Sequence, residues 1–307
     1  MKKKIQKVVS TKVNAIGLPI LALCFVCFFW GTTWIASKEG VRHMPALQLA
    51  GMRQFIGGIL YVSYFLFIKT PWPKGKQWRT ILILSILNFA LSNGLSTWGV
   101  KYISSGLGAI INAVFPLWIV IISIFSGEKL VRLAVFGLII SFGGVCVIFY
   151  DHLGDFLNPD FRFGIILSVL STLSWAFGSL YTKKKAASFN PYFSLGLQML
   201  ISSILLFAIT GATGTGVTLS SISSNSWWAI AYLVIVGSVL TFIAFIYMLQ
   251  KLPPEINSIY AYVNPIIAVL LGSLIFGEPL SIAIAIGGII TLGGLYMVNY
   301  SMRKGRN

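Results

Sequence analysis

The sequence predicts an all-α polytopic membrane protein of about ten transmembrane helices, arranged as two inverted-topology repeats of five helices. Three observations support this fold class. Of the 307 residues, 57% are hydrophobic and 10% are charged, whereas soluble domains carry about 25% charged residues. Apolar runs of roughly 20 residues, each able to cross a hydrocarbon layer of about 30 Å, fill nearly the whole chain. The two halves of the chain also match each other in sequence.

The apolar runs end at charged residues, at prolines or at Gly/Ser clusters. Each run is predicted to form a helix, because an unpaired backbone amide in hydrocarbon costs several kcal/mol. The predicted helices are 15–37, 45–68, 80–99, 105–126, 133–150, 163–182, 191–210, 227–249, 255–276 and 282–300. The first run is too long for a secretory signal peptide, and no small-residue cleavage site follows it.

The distribution of Lys and Arg predicts the orientation of these helices. With the N-terminus inside the cell, the outer segments hold Lys38, Arg42, Lys101 and Arg162, and Arg53 lies in the membrane. The other basic residues lie in inner segments, including the tails 1–14 and 301–307. The outer linker 151–162 is acidic instead. Because Lys and Arg are retained on the cytoplasmic side, both termini are predicted to be cytoplasmic. The charge of +16 therefore does not indicate nucleic-acid binding.

An internal repeat relates residues 15–150 to residues 163–300. At a shift of 150 residues, the matches include Leu130 with Leu280, Gly137 with Gly287, Gly143-Gly144 with Gly293-Gly294, and Tyr150 with Tyr300. At a shift of 145 residues, Trp30 matches Trp175. Since each copy holds five helices, the second copy must enter the membrane from the opposite side. In such inverted repeats the substrate site lies between the halves, near the bilayer midplane.

Several short motifs occur in the same order in both halves. They are Phe29-Trp30-Gly31 and Ser174-Trp175-Ala176, the segments Pro116–Glu128 and Pro265–Glu278, and glycine-rich fifth and tenth helices. The chain resembles, over nearly its whole length, the ten-helix EamA-type branch of the drug/metabolite transporter superfamily. This resemblance implies a metabolite exporter or importer of the bacterial inner (plasma) membrane, with a central cavity lined by both halves. It implies no particular substrate.

Arg53 is a charged residue about 12 Å into the predicted second helix. A central Arg costs at least about 2.5 kcal/mol to insert, so it is expected to face protein or water and to have a partner. One interpretation is a clamp for an anion or carboxylate. The other is a structural Arg that bonds to helix-end carbonyls in the other half.

Polar residues recur at helical spacing on the first, third, sixth and seventh predicted helices, which places them on one face of each. Such stripes either line a wet cavity or bond to neighbouring helices. Central tryptophans could form cavity walls or pack in the core. The candidate substrate-binding residues are Trp30, Thr33, Trp34, Asn88, Ser92, Trp175, Ser179, Gln198, Tyr260 and Asn264.

Pro116 and Pro265 lie within the predicted fourth and ninth helices, where a proline removes a backbone hydrogen bond and bends the helix. Matched bends suit a two-sided gate, or they are structural only. Glu128 and Glu278 end the same helices and are expected to cap the next helix or to pair with Lys129 rather than to carry protons.

The predicted function is transport of a small metabolite, an amino acid or a similar compound, by alternating access and in the direction of export. The alternative is a membrane-embedded enzyme or interaction subunit, but no catalytic set, metal-ligand spacing or nucleotide-binding loop occurs in the sequence. No cofactor or metal is expected. The expected partners are the small-molecule substrate and the lipid bilayer, and the chain is expected to be a monomer or a homodimer.

Overall fold

The computed structural model describes residues 2–125, 132–150, 152–185 and 189–304, and these form helices without any strand. The predicted all-α membrane fold is confirmed. In chain order the long helices are α1 Lys2–His43, α2 Ala46–Phe67, α3 Lys76–Gly99, α4 in the segments Ser105–Ala113 and Phe115–Phe125, α5 Arg132–Tyr150, α6 Pro159–Lys185, α7 Pro191–Ala212, α8 Ser224–Lys251, α9 Tyr260–Phe276 and α10 Ile282–Lys304.

Seven of these helices contain stretches long and apolar enough to cross a membrane, and α9 and α10 add shorter apolar stretches. The helix α2 has 22 residues but is less apolar, because it carries Gln48, Arg53 and Gln54. Large apolar side chains cover the outside of the bundle: Phe67 is 86% exposed, Leu274 80% and Ile282 79%. In a bilayer these side chains contact lipid, so the chain is a multi-pass membrane protein.

Some helix ends differ from the predicted ones for identifiable reasons. The first helix continues past residue 37 to His43, because Lys38 does not face water: its Nζ donates to the carbonyls of Val100 and Ile103 at 2.8 and 2.7 Å. The first helix also begins earlier than predicted, at Lys2, so residues 2–14 of the predicted basic tail are part of it. Other differences are the break in α4 at Val114 and a short helical turn, Pro254–Asn257, before α9. Glu128, Lys129 and Asp151 lie outside the described residues.

The helices α5 and α10 are repeat mates and pack antiparallel through their small residues. A methyl group added to Gly144 would lie 2.6 Å from the Gly287 carbonyl, and one added to Gly287 would lie 2.6 Å from the Gly144 carbonyl. Ser141 Oγ donates to the Thr291 carbonyl at 3.0 Å, and Thr291 Oγ1 donates to the Ser141 carbonyl at 3.4 Å. These reciprocal contacts place a pseudo-two-fold axis between the two helices.

The same axis relates the other helices of the two halves. The repeat mates α2 and α7 also pack together, with Gly58 against Leu200 and Gly196 against Tyr61. The helix α1 packs against α8 and α9, and its mate α6 packs against α3 and α4. This arrangement is an inverted repeat, as the sequence predicts.

Two of the central helices, α3 and α8, contain a π-helical segment, at Ser85–Asn93 and Leu233–Leu240. Wider turns of this kind free backbone carbonyls from the ordinary helical pattern and are frequent at functional sites. In α3, Ser174 Oγ donates to the Leu87 carbonyl and Ser171 Oγ to the Ser92 carbonyl, both at 2.8 Å. In α8, the Tyr61 hydroxyl donates to the Val239 carbonyl at 3.0 Å. In both segments, side chains of neighbouring helices thus donate hydrogen bonds to backbone carbonyls.

Candidate functional site

A cavity of about 130 Å³ lies at the centre of the bundle, between the two halves. Since one buried water needs about 10–15 Å³ of such space, the cavity has room for several waters or one small solute. Seven helices contribute side chains. The lining residues are Trp30, Thr33, Trp34, Ser37, Arg53, Asn88, Phe89, Ser92, Asn93, Ser96, Thr97, Ala109, Asn112, Ala113, Phe115, Trp175, Phe242, Tyr260, Ala261, Asn264 and Pro265.

The cavity lies near the middle of the spanning helices. Arg53 is seven residues after Ala46, and Asn112 is seven residues after Ser105, so each lies about 10 Å along its helix at 1.5 Å per residue. Arg53 is also fourteen residues, or about 21 Å, from the other end of α2 at Phe67. A solute in this cavity is therefore far from both membrane surfaces.

Arg53 is the charged residue of the cavity wall. Its side chain is 6% exposed, and its Nε donates to Ser238 Oγ at 2.8 Å. Ser238 lies in the π-helical segment of α8, which approaches α2 here because the neighbouring residue is Gly237. A methyl group on Gly237 would lie 3.0 Å from Arg53 Nη2. Among the described residues no carboxylate pairs with Arg53, so its charge is matched only by a neutral hydroxyl.

Aromatic rings form one wall of the cavity. The ring of Trp30 lies 5.2 Å from Phe242, 4.7 Å from Phe245 and 5.3 Å from Tyr260, measured between centroids. The side chain of Trp175 lies close to the Tyr260 hydroxyl, and both residues line the cavity. Trp30 is therefore part of a packed aromatic cluster, whereas Trp175 lies beside a hydroxyl group at the cavity. Both interpretations of the central tryptophans, cavity wall and core packing, apply to Trp30.

Both matched prolines affect backbone groups at the cavity. A proline in a helix removes the N–H that would bond to the carbonyl four residues earlier. For Pro116 that carbonyl belongs to Asn112, and for Pro265 it belongs to Ala261; Asn112 and Ala261 both line the cavity. Pro265 itself lines the cavity inside the continuous helix α9, whereas Pro116 lies just after the break in α4. Each half thus places a backbone acceptor near the cavity.

Two asparagine amides, those of Asn112 and Asn264, face the cavity with unused hydrogen-bonding capacity. Asn88 also lines the cavity, but its Oδ1 is buried against Gly178 of α6, where any side chain would collide with it, and has no hydrogen-bond partner within the described chain. The amides of Asn112 and Asn264 make no hydrogen bond to other described residues. An amide both donates and accepts, so these groups can bind either end of a polar solute.

Eight of the ten candidate substrate-binding residues line the cavity, and Ser179 and Gln198 do not. Gln198 is buried on α7 and its Nε2 donates to Ser194 Oγ of the same helix at 2.9 Å. The polar face of α6 serves mainly to bond α3. The sequence did not single out Asn93, Asn112 or Phe242. Asn112 could have been found, since it precedes Pro116 by four residues, but Phe242 gives no signal within its apolar run.

The adjoining ends of α4 and α9 are joined by Glu278, which follows α9. Its carboxylate accepts from the Ser105 amide at 2.7 Å, from Ser105 Oγ at 2.8 Å and from the Gly106 amide at 3.2 Å. It therefore caps the helix α4 of the first half, as a capping role predicts, although not the helix that follows it in sequence. Within the part of the chain that the structure describes, no His, Cys, Asp or Glu side chains group into a metal site.

Comparison with known proteins agrees with this architecture. The model of the EamA-like transporter family matches residues 17–150 and again residues 162–300. The chain belongs to the EamA-like transporter family. It therefore contains two copies of the EamA unit. The last helix of each copy is the glycine-rich helix, α5 or α10, and these two helices pack against each other. Membership makes the chain a membrane transporter, and the cavity between the two EamA units is the candidate site of transport.

Relatives of the chain are named as transporters. The uncharacterized inner membrane transporter YedA of Escherichia coli strain K12 is 30% identical over 86% of this chain and 85% of its own. The uncharacterized transporter YvbV of Bacillus subtilis strain 168 is 28% identical, over 91% of this chain and 90% of its own. A solved crystal structure covers 94% of this chain and 99% of its own at 18% identity, with a TM-score of 0.64, and shows the same fold.

Proposed function

We propose that this EamA-like protein is a secondary transporter of the bacterial inner membrane that moves a small carboxylate-bearing metabolite, an amino acid or a similar zwitterion. The observation that carries the proposal is the placement of Arg53 on the cavity wall, buried and without a carboxylate partner in the described chain. A charged side chain inside a membrane protein is costly and typically marks a substrate or ion pathway. A bound carboxylate would supply the missing charge.

The guanidinium of Arg53 has the donors that such a ligand needs. A guanidinium carries five N–H donors, and those on Nη1 and Nη2 lie in one plane that matches a carboxylate. Only Nε is used by Ser238. Because Ser238 holds the Nε edge, the guanidinium is already oriented before a ligand binds. Little side-chain entropy is then lost on binding.

Acceptors elsewhere in the cavity suit an ammonium group. The carbonyls of Asn112 and Ala261 are deprived of a helical N–H by Pro116 and Pro265, and the Asn264 amide adds a further acceptor. An ammonium group donates three hydrogen bonds and accepts none. Arg53 and these acceptors are therefore complementary to the two charged ends of an amino acid.

The inverted repeat supports alternating access as the mechanism. Two halves related by an axis in the membrane plane can rock about a central site and expose it to each side in turn. No carboxylate lines the cavity among the described residues, so facilitated diffusion or exchange fits better than proton coupling through this site. The basic inner segments support cytoplasmic termini, and the family resemblance supports export. All the lining residues of the cavity belong to one chain, which supports a monomer as the transporting unit.

Ligand binding to the protein in lipid nanodiscs tests the proposal. We expect amino acids to raise the thermal transition of the wild type, whereas the corresponding amines without a carboxylate do not. In Arg53→Gln this difference should disappear, and Gln198→Leu, which changes a buried polar side chain away from the cavity, should retain it. Equal stabilisation of the wild type by an amino acid and by its amine would contradict the carboxylate assignment.

A further inference from the structure

A second cavity, of about 250 Å³, lies beside the central one and is lined by α4, α9 and α10. Its walls are apolar side chains with Thr291 as the polar exception. We call it the lateral groove. Its lining residues are Ile110, Ala113, Pro265, Ile266, Val269, Leu270, Leu280, Ile284, Ala285, Gly288, Ile289, Thr291 and Leu292.

The lateral groove opens toward the bilayer at one side. Ile289 is 73% exposed, Leu280 50% and Ile266 47%, and these side chains form its rim. The groove has free space at Gly288, where an added methyl group would meet no atom within 4 Å. The free space is therefore accessible to hydrocarbon and not enclosed by the bundle.

At its other side the groove adjoins the central cavity. Ala113 and Pro265 line both spaces, so the central cavity and the lateral groove are separated by the methyl group of an alanine and the ring of a proline. Asn264, the residue before Pro265, faces the central cavity, and Ile266, the residue after it, faces the groove. Polar recognition groups and an apolar channel thus lie on the two sides of one turn of α9.

We infer that the lateral groove receives the hydrocarbon arm of the transported solute, whose charged end lies at Arg53 in the central cavity. This inference rests on the proposed function and narrows its substrate class to amphipathic amino acids or similar amphipathic carboxylates. The polar cavity is the smaller of the two spaces, about 130 Å³ against about 250 Å³. A solute whose polar head fills the first can extend an apolar chain past Pro265 into the second.

The alternative occupant of the groove is the acyl chain of a bilayer lipid, with no connection to transport. The two occupants differ in one measurable respect. A solute arm links the occupancy of the groove to the affinity at Arg53, whereas a lipid chain does not. Transfer of one methylene from water into an apolar site is expected to tighten binding by up to about fourfold.

The test uses straight-chain 2-amino acids with four, six and eight carbons and the protein in nanodiscs of fixed lipid composition. Three forms are compared: wild type, Gly288→Leu and Gly293→Leu. Both glycines lie on α10 with no atom within 4 Å of an added methyl group, but only Gly288 lines the groove. Ala285→Leu fills the groove from a second position if Gly288→Leu does not fold.

We expect affinity to rise with chain length in the wild type and in Gly293→Leu, and to become independent of chain length in Gly288→Leu. The four-carbon compound should bind all three forms equally. Retention of the chain-length dependence in both groove-filling variants, or its absence in the wild type, overturns the inference and leaves the proposed function intact. Failure of every amino acid to bind the wild type would overturn both.

Discussion

The two halves of the molecule share a scaffold but not a binding surface. Arg53 and Gln198 occupy matching positions 145 residues apart, as Trp30 and Trp175 do. Arg53 lies on the central cavity, whereas Gln198 bonds to Ser194 on its own helix. The two π-helical segments differ in the same way. The one in α3 places Asn88, Phe89, Ser92 and Asn93 on the cavity, and the one in α8 is apolar apart from Ser238.

This difference separates two requirements of a transporter. Packing between repeat mates is nearly symmetric, since a methyl group added to either Gly144 or Gly287 would lie 2.6 Å from the carbonyl oxygen of the other. Symmetric packing provides two equivalent ways for the halves to tilt. Recognition of the solute needs different groups at its two ends, so it cannot be symmetric. We therefore expect substitutions at the packing interface to act alike in both halves, and substitutions at the cavity to act differently.

The largest expected effect is on stability at the crossing of α5 and α10. Gly144→Ala and Gly287→Ala each push a methyl group into a backbone carbonyl and should destabilise the protein by about 3 kcal/mol. The neighbouring Gly143→Ala and Gly288→Ala meet no atom within 4 Å and should be neutral or slightly stabilising. Thermal unfolding in detergent compares the four variants. Unequal losses at Gly144 and Gly287 would contradict the symmetry.

The next effect concerns the affinity for a carboxylate ligand. Arg53→Gln removes charge-assisted hydrogen bonds worth about 1.5–3 kcal/mol, which predicts a loss of affinity of about 10- to 100-fold. The matching Gln198→Leu should change affinity by less than about twofold, because Gln198 does not reach the cavity. Isothermal titration with a ligand identified by the amino-acid screen measures both. Similar losses in the two variants would mean that both halves bind the solute.

A smaller effect is expected where Glu278 joins the halves. Glu278→Gln keeps the shape of the side chain but weakens the cap on α4, which should lower stability by about 1 kcal/mol. Glu39→Gln is the control, since its contacts with Arg42 and His43 are exposed pairs that contribute little. Both are measured by thermal unfolding. An unchanged transition in Glu278→Gln would show that the cap is not needed in the ground state.

The smallest expected effect is that of the contact between Trp175 and the Tyr260 hydroxyl. Trp175→Phe and Tyr260→Phe each remove this polar contact and should weaken ligand binding by about threefold, or about 0.6 kcal/mol. Because both changes remove the same interaction, the double variant should lose little more than either single one. Additive losses would mean that the two side chains contact the ligand independently.

The sequence predicted most of the fold because the bilayer leaves few choices. Apolar length forces spanning helices, and an odd number of helices per repeat forces inversion. The ends of helices were less well predicted. The charge of Lys38 predicts the end of the first helix near residue 37. In the structure the carbonyls of Val100 and Ile103 accept hydrogen bonds from its amino group, and the helix continues. A charge marks the end of a span only where water, not protein, solvates it.

The candidate site was predicted in part for a similar reason. Helical spacing shows which residues share a face, but it does not show whether that face meets a cavity or another helix. Ser171 belongs to the polar stripe of the sixth helix, yet it donates to a carbonyl in the π-helical segment of α3, as Ser174 of the tryptophan motif does. Gln198 likewise finds its partner on its own helix. Partners far away in sequence decide between these outcomes.

By itself, the sequence determined the helical membrane fold, the duplication and the presence of one buried charge in the second helix, because each depends on local composition or on direct comparison of two segments. Only the tertiary structure decided that small residues of α5 and α10 meet each other, that Arg53 faces the cavity while Gln198 does not, and that an apolar groove adjoins the polar site. These depend on how helices distant in sequence pack, and packing is a property of the whole bundle.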